Sequence, residues 1–365
     1  MKIGIVGAGP AGLFTAKNLI KDFELKVFEE HNSIGFPQHC TGLVTEKVVE
    51  KIGNDLVLNK IKCSKIFHGK NMIIVEKKGI AAYVIDRKKM EEKLSAEIIE
   101  NILFGVRVKN LKVDKKIKLE TNNGEFDFDI LIGADGPRSL VRNFVIQSNI
   151  PFLNGIQYLL DNKDFDNDYV EIYLDRKYSS GFFAWTVPRK DDLLVGLSTY
   201  DNAPVQRINA LLKDKFGNRN VNGVIAGQIP IGILKKHSNE NIFLTGDAAL
   251  FVKATSGGGL YYGLMGSEIL ANSIKNGYSY EDELLPIIKE LKVDYLIHKI
   301  FSNLSDEEIA RLMKIMKDEN IIEKINNYGD IDHPSILAKK LMFEPKFLLA
   351  KILLFKKFFN SILYL

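Results

Sequence analysis

Lys2-Ile-Gly-Ile-Val6, Gly7-Ala-Gly-Pro-Ala-Gly12 and Leu25-Lys-Val-Phe28-Glu29 are the segments that decide the fold. A short apolar run enters a glycine turn, an apolar-periodic segment follows to Ile20, and a second apolar run ends on an acid. Strand, turn, helix, strand and acid in this order form the dinucleotide-binding βαβ pattern in its required context. Gly7 allows the tight turn, Gly9 lets a pyrophosphate approach bare backbone, and Gly12 lets helix and sheet pack closely. The helix start then offers unpaired N–H groups and the positive end of its dipole to phosphate. Glu29 follows at the spacing of ~20 residues where a carboxylate accepts hydrogen bonds from the adenosine ribose. The pattern alone does not separate FAD from NAD.

Two more glycine-acid turns lie further along. An apolar stretch, Phe126–Ile132, runs into Gly133-Ala-Asp-Gly136, and Asn241–Leu244 enters Thr245-Gly-Asp-Ala-Ala249. Gly257-Gly-Gly259 opens the next helical segment, which runs to about Asn276. An acid just past a strand and a helix start can hold opposite parts of one flavin. Asp247 suits the ribitol hydroxyls, and the helix start suits the polar pyrimidine edge. Gly133-Ala-Asp-Gly136 reads as a third turn of the same cofactor-holding kind, with a tight turn and helix cap at Asp135 as the alternative. Asp86 reads as a cap that leaves Arg87 free to point at phosphate or the flavin region. Cys40, in a polar glycine-flanked loop, reads as shaping the flavin site or relaying a proton; its alternative is a small buried hydrophobe.

The bulk numbers bound the function. A chain of 365 residues and 41.2 kDa, 46% hydrophobic and 26% charged, can bury a large core and suggests two or three domains. A formal charge of +4, from 50 basic and 46 acidic residues, is too small an excess to argue for nucleic acid. Two cysteines, Cys40 and Cys63, cannot make a four-thiolate iron–sulfur or zinc site, and no metal is expected. No leader is expected before the first strand, and no apolar run approaches the ~20 residues of a membrane span, so a cytoplasmic location is expected, with a peripheral place at the membrane as the alternative.

At this point the motifs resemble a family. The order Gly7–Gly12, Asp86-Arg87, Gly133–Gly136 and Gly246–Ala249 is similar to that of flavoproteins sharing the p-hydroxybenzoate hydroxylase fold. Within them, the chain resembles the geranylgeranyl reductases, including the archaeal branch that acts on ether lipids. Pro37-Gln-His-Cys40-Thr-Gly42 matches that family's P-x-x-C-x-G pattern. Phe183-Ala-Trp185-Thr-Val-Pro188 resembles its Y-x-W-x-F-P pattern, and Ala254-Thr-Ser-Gly-Gly-Gly-Leu260 its glycine-rich helix start. The likeness covers about residues 1–280. It implies tightly held FAD and reduction of isolated double bonds in polyprenyl chains. It also implies that Ala11 and Glu29 contact the ADP half, Val108 offers backbone to adenine, and Cys40, Thr41, Gly42 and Arg87 lie by the flavin. Asp247, Gly259 and Leu260 should meet ribitol and isoalloxazine, and Phe183, Trp185 and Pro188 the substrate. Phe183 stands for the family's Tyr, Val187 for Phe and Ala254 for Pro, departures that bear on the substrate more than on the cofactor.

The expected architecture is α/β with α+β elements. A Rossmann-like FAD-binding domain comes from segments 1–60, 86–147 and 238–280, a β-rich substrate domain from 61–85 and 148–237, and a helical portion from 281–365. Within these, a helix is expected over Lys88–Asn101, one strand over Phe104–Val113, and a β-rich run over about 152–234. Phe182 and Phe183 are expected to face opposite ways, one of them into the core. The expected partners are a polyprenyl lipid and an electron donor, whether NAD(P)H, ferredoxin or a deazaflavin. The mixed apolar and lysine segment Pro345–Leu365 reads as a helix packed on the protein, with an interfacial membrane helix as the alternative. Rival functions on the same fold are a flavin monooxygenase or halogenase, an electron-transfer dehydrogenase, and a non-catalytic polyprenyl carrier.

Overall fold

The computed structural model describes residues 1–217 and 219–344; the tail segment Pro345–Leu365 lies outside the described residues. The first apolar run forms a strand, Lys2–Val6, buried at every position after Lys2. It pairs in parallel with Glu24–Glu29 on one side and Ile130–Gly133 on the other. Ile102–Phe104, Ile242–Leu244 and Ser238–Asn239 complete a six-stranded sheet, antiparallel only at the last strand. Helix Pro10–Leu19 follows the glycine turn directly and packs mainly against helix Leu260–Asn276. Such a parallel sheet is buried on both faces, which is why its strands read as continuous apolar runs.

A seven-stranded sheet forms the second layer, ordered Gly223–Pro230, Phe152–Asp161, Asp192–Thr199, Ala184–Arg189, Tyr169–Tyr173, Cys63–His68 and Asn71–Glu76. A small antiparallel sheet of Leu43–Val44, Ala82–Ile85 and Val57–Ile61 takes strands from both sides of the boundaries expected at 60/61 and 85/86. Helices Tyr280–Glu283, Leu285–Ser302, Asp306–Met316, Glu319–Tyr328 and Pro334–Met342 follow. Ser305 and Glu308 cap the third of these reciprocally. No helix among the described residues is long and apolar enough to cross a membrane.

Two local expectations are corrected and one is filled in. The β-rich run 152–234 also holds one helix, Pro204–Lys215, which lays Ile208 and Leu211 on one face of the large sheet. Its apolar positions recur at helical spacing, and that signal was masked by the strands around it. The stretch 104–113 is two strands, because Gly105 takes φ +65° and turns the chain out of the parallel sheet before Val108–Val113 begins. The expected helix to Asn101 ends at Ser95, and a 3₁₀ turn over Ile99–Asn101 follows.

The Ser238 edge is tied to the helical portion by one carboxylate. Burial pushes Glu281 up, but hydrogen bonds from His237 and Ser238 hold it down to about 2, from an ordinary 4.5. A pKa depressed on folding contributes stability that is present above about 4.5 and lost as pH falls toward 2. Glu281→Gln is therefore expected to lower stability near neutrality by about 1 kcal/mol, allowing for solvent screening. It should also flatten the pH dependence of thermal unfolding across that acid window. A variant melting in parallel with the parent from neutral pH to acid would show that Glu281 is not the linkage group.

Candidate cofactor and substrate site

The glycine turn is shaped by close approach on two sides. Gly7 has φ +99°, and a Cβ there would stand 2.4 Å from the Ala134 carbonyl oxygen. Gly12 lies so close that its Cβ would be 2.0 Å from the Gly7 carbonyl oxygen. At Gly9 a Cβ would meet nothing within 4 Å, so the turn opens to space on the side where a phosphate would come. Glu29 bends back onto this turn: its carboxylate accepts the Ala8 amide at 2.9 Å and the His31 amide at 2.9 Å. The Val106 amide donates to the Glu29 carbonyl at 2.9 Å, which brings the start of strand Val108–Val113 beside the same strand end. The Val108 side chain is buried in the core.

The second and third turns converge on the first. Gly246 packs against Ala11, where a Cβ would be 2.6 Å from the Ala11 methyl, and Ser267 donates to the Ala11 carbonyl at 3.1 Å. Asp135 holds the turn that follows it, accepting the Ser139 hydroxyl at 2.5 Å and the Leu140 amide at 2.7 Å. Arg142, buried and unremarked in sequence, ties these turns together. It donates to the Ala248 carbonyl at 3.2 Å and to the Pro137 carbonyl at 2.6 Å. Asp247 is half-buried, with one carboxylate oxygen 2.9 Å from the place a Gly259 Cβ would take. Burial pushes its carboxyl up, and Arg87 and Arg142 pull it back. It accepts no side-chain hydrogen bond among the described residues. Leu260 then begins the helix Leu260–Asn276, on which no acid occupies the first turn.

Arg87 links this cofactor side to the Cys40 loop. Asp86 caps its helix by accepting the Lys89 amide at 3.1 Å, as its place in the sequence suggests. The Arg87 guanidinium donates to Glu91 at 2.6 Å, and the Cys40 side chain acts on its charge. Burial works against its charge, and Cys40 and Glu91 more than restore it. Its Nε is buried without an acceptor among the described residues. Gly42 has φ +78°, and its amide donates to the Cys40 sulfur at 3.3 Å.

From this loop Thr41 reaches the large sheet. Its hydroxyl donates to Gln157 Oε1 at 2.7 Å, and the Trp185 indole N–H donates to the same oxygen at 3.1 Å. Gln157 is buried in the middle of strand Phe152–Asp161. Gly196 makes the room: a Cβ there would fall 2.6 Å from Gln157 and 2.7 Å from the Trp185 indole. Phe183 meets Trp185 edge-on with centroids 5.8 Å apart. Phe182 is buried and Phe183 half-buried, but their rings stack at 4.1 Å instead of facing opposite ways. The strand starts only at Ala184, so the alternation that would separate them has not begun.

Pro188 does not join the aromatic pair. Alternation along Ala184–Arg189 puts it with Ala184 and Thr186, opposite its strand partner Leu193 and on the face that helix Pro204–Lys215 covers. The missed contributors, Gln157, Arg142 and Gly196, each act through at least one partner on a different strand or turn. A polar Gln157 inside an apolar strand was the one local signal available.

The residues present suit a flavin nucleotide on three counts. Among the described residues, the Gly9 side of the turn is open, the Arg87 Nε is orphaned, and the Asp247 carboxylate has no donor. No family model matches the chain. An uncharacterized protein of Methanocaldococcus jannaschii is 31% identical, over 93% of this chain and 94% of its own. A digeranylgeranylglycerophospholipid reductase of Methanosarcina acetivorans is 24% identical over 86% of this chain and 88% of its own. Among solved structures, a geranylgeranyl bacteriochlorophyll reductase-like protein of Thermoplasma acidophilum superposes with a TM-score of 0.75 at 18% identity, over 93% of this chain and 98% of that one. A flavin-dependent brominase superposes with a TM-score of 0.69 at 13% identity, over 94% of this chain and 98% of that one. Likeness at these identities shows a shared flavoprotein fold.

Proposed function

The chain belongs to the geranylgeranyl reductase family of flavin-dependent oxidoreductases, and on that premise we propose that it saturates carbon–carbon double bonds in the prenyl chains of ether lipids with FAD as its cofactor. The observation that supports this most is the Gln157 carbonyl oxygen, which holds the Cys40 loop and the Phe183–Trp185 pair together. An arrangement of that kind sets an apolar, aromatic surface beside the flavin side of the site. An isolated alkene has no polar handle, so placement against aromatic walls with water excluded is most of what a protein can offer it.

FAD would supply the hydride. Gly7, Gly9, Gly12 and the start of helix Pro10–Leu19 would hold its pyrophosphate, and Glu29 and the Val108 backbone its adenosine. Asp247 would hold the ribitol, and Gly259 and Leu260 the isoalloxazine edge. Arg87 keeps a fixed positive charge between Asp247 and Cys40. The Cys40 thiol, whose sulfur accepts the Gly42 amide, would deliver a proton to the second alkene carbon. Peripheral contact with the membrane that holds the lipid belongs to the same proposal.

The test is mass spectrometry of a digeranylgeranylglycerophospholipid incubated with the chemically reduced holoprotein. Gain of one H₂ per saturated bond supports the reading, and an unchanged lipid beside a reduced, FAD-loaded protein overturns it. Cys40→Ser keeps a small polar group but loses the thiol. It is expected to lower turnover about 100-fold while flavin absorbance is retained; a parental rate would remove the sulfur from the chemistry.

A further inference from the structure

Lys253 occupies an expensive position. Only 6% of it is exposed, and its amine pairs at 2.6 Å with Asp332, which is 0% exposed. Its backbone builds the glycine turn: the Lys253 amide donates to the Gly258 carbonyl at 3.1 Å, and its carbonyl accepts the Gly257 amide at 2.8 Å. Its side chain returns to the same turn. A Cβ on Gly258 would stand 3.1 Å from Lys253 Cε and 3.5 Å from Nζ. The turn leads into the 17-residue helix Leu260–Asn276, so the buried ammonium sits at a positive dipole end with no acid in the first turn.

Taken alone this placement is unfavourable twice over, through lost hydration and through the helix dipole. Asp332 offsets part of the cost and is itself strongly held. Its second oxygen accepts the Thr45 hydroxyl at 2.5 Å, and its carbonyl accepts the Tyr262 hydroxyl. A second acid, Asp294, feels Lys253 from the far side of the turn but spends its carboxylate on the Thr255 amide, at 3.0 Å, and the Thr255 hydroxyl. A cation and a helix start aimed at one glycine turn favour an arriving negative charge. A flavin that takes up two electrons and one proton carries such a charge on its pyrimidine side.

We propose that Lys253, anchored by Asp332, is a positioning residue that stabilises negative charge on the reduced flavin at the Ser256–Gly259 turn and so raises its reduction potential. Asp332, delivered by the helical portion of the chain, limits how much of that charge the flavin feels. This rests on the flavin reading above, and the two fail in different ways. A parent protein that stays colourless after incubation with FAD ends the flavin reading. A yellow protein whose potential ignores these residues ends only this one.

The experiment equilibrates the FAD-loaded full-length protein with a reference redox dye. Lys253→Met is expected to lower the ratio of reduced to oxidised flavin at least tenfold at a fixed poise, about 30 mV for a two-electron couple. Asp332→Asn is expected to raise the ratio, and the double variant to fall between the two singles. Shifts below twofold, or shifts of the same sign in both singles, would reduce the pair to a structural clasp and overturn the proposal. Where Lys253→Met does not retain FAD, the upward shift in Asp332→Asn and its reversal in the double variant decide the matter. Thermal melts of the three apo variants serve as control, since the double variant leaves no unpaired buried charge.

Discussion

Gly12→Ala is expected to yield a colourless protein. The added Cβ would stand 2.0 Å from the Gly7 carbonyl oxygen, 3.1 Å from its carbon and 3.2 Å from the Ala134 methyl. No rotamer relieves this, because the first atom of any side chain is already inside backbone. Helix Pro10–Leu19 must therefore move away from the strand Lys2–Val6. Overpacking of this sort costs about 1–3 kcal/mol of stability, and the helix start that should meet the pyrophosphate moves with it. Gly9→Ala is the partner experiment. A Cβ there meets nothing in the protein within 4 Å, so the melting temperature should hold while FAD affinity falls, because only the ligand's approach is blocked. Visible flavin absorbance and thermal unfolding, measured on both variants, separate fold from cradle. Full retention of FAD by Gly12→Ala would remove this turn as the phosphate site.

The contrast between those two glycines shows which features are legible in a sequence. Strand, turn, helix, strand and acid are local signals, and each has its own cause within a few residues: the run Lys2–Val6, the φ of Gly7, the period of Pro10–Leu19. The cap at Asp86 is local too, and it was legible. What failed were readings that needed a partner or a boundary. Gly105 breaks a run that looks continuous, and Phe182 and Phe183 stack because their strand begins one residue later. Pro188 belongs to a motif, but strand alternation turns it to the other face. Arg142 reads as one more basic residue until the Gly246–Ala249 turn folds against it. Gln157 is the sharpest case. Its neighbours describe a strand, and only Thr41, 116 positions away, together with Trp185 explains a buried amide there.

Gln157→Leu should therefore separate the two halves of the site. Leucine fills similar volume but accepts no hydrogen bond, so the Thr41 hydroxyl and the Trp185 indole N–H lose their common acceptor together. A buried donor left without a partner costs about 1–3 kcal/mol, and either group can escape that cost only by moving. Thr41 can turn outward with the Cys40 loop. Trp185 cannot tilt without leaving the slot that Gly196 opens beside it. In either case the aromatic surface and the thiol lose their register. Turnover on prenyl lipid should fall roughly tenfold to a hundredfold, the same energy expressed as a rate. FAD content should not change, since neither Gly7–Gly12 nor Asp247 hydrogen-bonds to Gln157. Gly196→Ala tests the same contact from the opposite side, because its Cβ would fall 2.6 Å from Gln157 and 2.7 Å from the indole. Both variants should show normal reduction of the bound flavin by dithionite and slow reoxidation by substrate. If Gln157→Leu lost its flavin instead, the glutamine would be holding the cofactor side; if both reoxidised at the parental rate, the aromatic pair would not be where the alkene binds.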